Sequence, residues 1–193
     1  MNYWEGPGDC CEGYLSSEEE MRIRDCFRLL WVQHVYWTRM VILGIAFNSP
    51  DLNATTNRLL RNATDFGKEF CRFYGKEIAT EFEDLVRDHL VIAAELVKAA
   101  KAGNAKAAAN AEKRWYENAD EIVRFLRCVN PYWKVKKMRA MWYEHLALTK
   151  QEAVEILNSE YDESISTFGR IEKEALMMAD HFSNGIIYQL NGC

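Results

Sequence analysis

Three histidines in one helical register are the residues of this chain best suited to chemistry. They are His34, His89 and His145, three of only four histidines in 193 residues. Each ends a run of three- and four-residue steps: Phe27, Leu30, His34; then Phe82, Leu85, His89; then Met138, Met141, His145. Such steps put side chains on one face of a helix, so three apolar faces carry a His at the same point. Neutral imidazoles are common ligands of zinc and iron, and a set of three leaves a coordination position for water or substrate. Glu152 follows His145 by seven residues on the same stripe, where an apolar core would place Leu. A His/carboxylate set suits non-haem iron. The expected ligands are therefore His34, His89 and His145 with Glu152 as a fourth, and the expected cofactor is iron or zinc.

The same residues support a structural alternative. Asn62 and Asn118 sit on the stripes of the intervening helices, where they could orient the rings of a metal site or simply satisfy buried neutral histidines. A His/Asn layer of the second kind fixes register among similar helices, as a buried Asn does in coiled coils. Trp31, Trp37, Trp115 and Trp142 are large core fillers or the lining of a cavity beside that layer. Two functions stay open: a bundle that binds a transition metal or small ligand, and a non-enzymatic scaffold or self-assembling protein. The Ala-rich stretch over 93–112 has few large side chains, which suits close packing in a homo-oligomer.

Positioning three such histidines takes long helices. Ser17 with Glu20 spells a capping box at the first start, and Pro50 ends that helix. Asp51 or Asn53 caps a second, which Tyr74-Gly75 closes; Gly103 ends a third, and Asn104 caps a fourth. Asn130-Pro131 has the order preferred at a helix start, and a last turn falls near Asn158 to Asp162. The fold expected is all-α: a six-helix bundle of three repeated helical hairpins in a single domain over 16–190, after a flexible arm over 1–15. Spacings of 28 (His34 to Asn62), 27 (to His89), 29 (to Asn118) and 27 (to His145) repeat, and only the 33 from His145 to Met178 breaks the rhythm. Each His then falls about 20 Å from the loops, halfway along its helix.

The net charge of −5, with acids and bases interspersed, points away from nucleic acid and offers no basic face to a membrane. Six scattered cysteines, without an export signal in the opening residues, are expected to be reduced in a cytoplasmic protein. Phosphate-binding loop, nucleophile elbow and cysteine-rich zinc patterns do not occur.

The runs LWVQHVYWTRM, TTNRLLRNATDFG, DHLVIAAELVKAAKAGNA, RWYENAD, NPYW, MWYEHLALTKQEA and ALMMAD resemble a small uncharacterised bacterial family of all-helical proteins, over most of 27–187. Members sometimes carry an acetylglutamate kinase label. The resemblance implies a helical fold and no activity, because the chain has none of the strands or glycine-rich loops that such a kinase needs.

Overall fold

In the computed structural model, which describes residues 14–192, the helices begin one residue earlier than the capping box at Ser17 predicts. Ser16 is the cap: its side chain accepts from Glu19 N at 3.2 Å, and Glu19 accepts in return from Ser16 N at 2.8 Å. Both serines spell the motif, and the earlier one adds a residue to the helix. Leu15 N–H is tied to Asn191 Oδ1 at 2.7 Å, so the first helix starts where the last one ends. The expected arm over 1–15 falls almost wholly outside the described residues, as do Cys10, Cys11 and Cys193. Cys26, Cys71 and Cys128 are free thiols.

Five helices follow: α1 (Ser17–Phe47), α2 (Leu52–Lys101), α3 (Ala105–Val129), α4 (Val135–Leu157) and α5 (Tyr161–Asn191), with no strand among the described residues. The all-α class is as the periodicity predicts; the helix count is not. Gly75 adopts φ 78 and ψ 174, a left-handed value that glycine alone adopts without strain. Helical bonding resumes directly after it, so α2 is one 50-residue element with a kink where two helices and a loop were expected. The other breaks obey local chemistry. Asn48 and Ser159 take positive φ at the ends of α1 and α4, Gly103 does so after α2, and Asn104 Oδ1 accepts from Ala107 N at 3.0 Å.

Asn130-Pro131 does not start α4. Asn130 Oδ1 accepts from Tyr132 N at 2.8 Å, which makes a turn, and the helix begins at Val135. The turn carries Trp133 into the core, where it is fully buried and its indole donates to His181 O at 3.3 Å. A Cβ at Gly185 would lie 2.0 Å from Trp133 Nε1, so only glycine lets the indole seat there.

Each helix packs on its sequence neighbours, α5 returns to α1, and α1 touches α4 across the ring. The core has two halves along the helix axes. On the side preceding each His, aromatic rings interlock: Phe70 stacks on Phe82 with centroids 3.8 Å apart, and Phe27, Phe66, Trp133 and Phe182 surround them. On the side following each His, the apolar residues between α1, α2 and α4 are aliphatic or small, among them Val41, Ile42, Ile45, Leu59, Leu96, Val97 and Ala153. None of the helices is long and apolar enough to cross a membrane among the described residues.

Candidate metal centre

The three histidines meet between these halves. His34 comes from α1, His89 from α2 beyond Gly75, and His145 from α4; all are at most 2% exposed. Ring centroids lie 5.5 Å apart for His34 and His145, 6.1 Å for His89 and His145, and 6.3 Å for His34 and His89. One nitrogen from each ring falls within 4.8 Å of one from each of the others, a spacing at which three buried imidazoles can hold a metal ion.

Each ring is held the same way. Nδ1 of His34 meets Asn62 Oδ1 at 3.0 Å, Nδ1 of His89 meets Asn118 Oδ1 at 3.0 Å, and Nδ1 of His145 meets Glu174 Oε2 at 3.0 Å. The amides are oriented in turn: Asn62 Nδ2 donates to Leu30 O at 3.0 Å, and Asn118 Nδ2 donates to Leu85 O at 3.1 Å. With each amide nitrogen committed to a carbonyl, its oxygen faces the imidazole and accepts from Nδ1–H. In the neutral ring the lone pair is then on Nε2.

Burial favours the neutral form. It is the main reason why the His34 imidazolium is pulled down to a pKa of about 3, with repulsion from His145 second. His89 is also held well below the ordinary histidine value, by burial first and then by His145 and His34. Cys26 offers no competing thiolate, since burial and the neighbouring Glu69 push its thiol up to about 12.

Indoles surround the rings. Trp115 Nε1 donates to His89 Nε2 at 3.1 Å. Trp31 packs against His34 and His145, at 5.3 and 5.9 Å, and Trp142 against His89 at 5.1 Å. The indole N–H groups of Trp31 and Trp142 are buried without a hydrogen-bond partner. Trp37 stands apart, half-buried beneath the Arg58 guanidinium at 5.0 Å.

Glu152 is buried, and its carboxylate is taken by Arg39, which also donates to Ser164 O at 3.3 Å. Burial raises the Glu152 carboxyl to about 7 against the pull of Arg39. The cluster with metal-ligand spacing contains the three histidines without it. The carboxylate that does touch the layer is Glu174, on α5. The step from His145 to Glu174 is 29 residues, equal to that from His89 to Asn118 and one more than that from His34 to Asn62. The rhythm that breaks at Met178 is therefore kept at Glu174; continuing the interval, rather than aligning the small residue after Asn62 and Asn118, would have found it.

Comparison with family models, curated proteins and solved structures finds no match to this chain, so the functional reading rests on the centre itself.

Proposed function

We propose that His34, His89 and His145 bind a divalent transition metal, iron or zinc, through their Nε2 atoms. One observation carries this reading: all three rings are fixed at Nδ1 by an acceptor oxygen at the same distance, which is how proteins set the tautomer and aim of metal-binding histidines. Zinc and iron accept such a set, at nitrogen distances of about 2.0–2.1 Å. A tetrahedral site of that size would need nitrogens about 3.4 Å from one another, so rings that now offer one nitrogen each within 4.8 Å of the others would have to close in. Glu174 behind His145 accepts from its Nδ1–H and so fixes that ring as Asn62 and Asn118 fix the other two. The indole N–H groups of Trp31 and Trp142, buried without partners on rings that pack against the histidines, are donors that a bound acceptor atom could satisfy. A metal held there would supply a Lewis acid, while Asn62, Asn118 and Glu174 hold the rings. In this reading Glu152 ties α4 to Arg39 rather than supplying the fourth ligand.

A second reading has its own observation: Trp115 already occupies the lone pair of His89 Nε2. The layer then locks helix register, and the protein is a structural or self-assembling bundle. Titration of zinc into wild type and Trp115→Phe separates the two. The metal reading expects tighter binding in the variant, because a competitor for Nε2 is gone; the register lock expects no binding in either and a lower Tm in the variant.

A further inference from the structure

The half of the core beyond the histidines contains a cavity of about 130 Å³. Its walls come from four helices and are aliphatic or small: Val41, Ile45, Leu59, Leu96, Ala94 and Ala153 define it. Alanines at 93, 94, 100, 108 and 153 leave it open where Leu or Phe would close it, and four of the five belong to the Ala-rich stretch expected to form a subunit interface. Thr38 and Thr149, one helical turn past His34 and His145, line it together with the Trp115 that bonds His89. On the solvent side it shares Glu112, Lys150 and Val154 with an open surface groove, and Lys150 Nζ bonds Glu112 Oε1 at 2.5 Å across that wall.

We propose that this cavity is a binding site for one uncharged, apolar molecule of about benzene size, held beside the histidine layer. Dry apolar cavities of about 150 Å³ take up benzene or xenon, and a charged or strongly polar guest would lose its hydration against walls that cannot replace it. The ion-paired wall that the cavity shares with the groove gives a way in. The cavity stands independently of any metal. Only its role as the substrate chamber of the centre rests on the reading proposed above, and then the substrate class is a small hydrocarbon-like molecule presented to the open coordination position.

The test uses benzene as the probe, on metal-free and on zinc-treated full-length protein. Methyl NMR should show saturable shifts at Val41, Ile45, Leu59, Leu90, Leu96 and Val97, with the aromatic half unmoved and Tm raised. Ala153→Leu should abolish the shifts, and Ala94→Val, a smaller change, should weaken binding at least tenfold if the larger variant fails to fold. Absence of saturable shifts up to the solubility limit of benzene, or shifts spread evenly through the core, overturns the proposal. Benzene binding with no zinc uptake keeps the cavity and removes the metal reading; zinc uptake without benzene binding does the reverse.

Discussion

The two halves of the core are built by the same helices and packed in opposite ways. Below the histidines, Phe27, Phe66, Phe70, Phe82, Trp133 and Phe182 fill the bundle ring on ring, and even Gly185 is required to make room for Trp133. Above them, alanines and aliphatics leave a void of about 130 Å³. At about 24 cal/mol per Å³, a hollow of that size forfeits about 3 kcal/mol. A chain able to pack six aromatic rings together has kept space in the other half, next to a buried layer of three histidines with metal-ligand spacing. The difference separates a closely packed half from a hollow one that adjoins the histidine layer.

The largest effect expected from this contrast is in the aromatic half. Phe82→Ala should cost about 3–5 kcal/mol in urea unfolding, since it removes a fully buried ring stacked on Phe70. A loss below about 1.5 kcal/mol would mean that this half is not the tightly packed one.

Acid tests the layer between the halves. His34 has its folded pKa at about 3, below the unfolded value of about 6.5, so the unfolded chain takes up its proton first. Its neutral burial contributes stability above pH 6.5 that is lost as pH falls toward 3. Between pH 6.5 and pH 5 the metal-free protein should lose about 2 kcal/mol through His34 alone, with His89 adding in the same direction. Stability that stays flat across this window would place the rings in contact with water.

Matched enlargements sharpen the contrast by sign. Ala153→Leu in the hollow half should raise stability by about 1 kcal/mol, because the added carbons enter a void. The same change at Ala179, fully buried against the packed half, should lower it by about 1–3 kcal/mol. Equal signs would abolish the distinction. The smallest effect belongs to the surface: Glu18→Gln breaks an exposed i,i+4 pair with Arg22 and should change stability by less than about 0.5 kcal/mol.

Much of this arrangement is legible in the sequence, for physical reasons that also mark the limit. Three- and four-residue steps define the buried faces of long helices, so the all-α class and the meeting of His34, His89 and His145 follow from spacing. Asn62 and Asn118 are legible as their partners because a buried amide beside a buried imidazole has few other uses. Glu174 was missed because a carboxylate on a helix reads as solvated until its partner is known. Glu152 was legible as buried, but its Arg39 partner lies 113 residues away, and no local pattern announces a long-range ion pair. The break at Gly75 is visible as a glycine, yet only its φ and ψ show that one residue makes the bend without a loop. Trp133 defeats local rules outright: Asn130-Pro131 spells a helix start, and the space beside Gly185 makes it a turn that inserts an indole.

Metal in the histidine layer is tested most directly by elemental analysis of untagged protein, wild type and His89→Gln, purified without added chelator. About one equivalent of iron or zinc per chain in wild type, lost in the variant while its helical content is retained, is the result expected. Wild-type protein that carries no metal, and whose Tm does not move when iron or zinc is added, would contradict it.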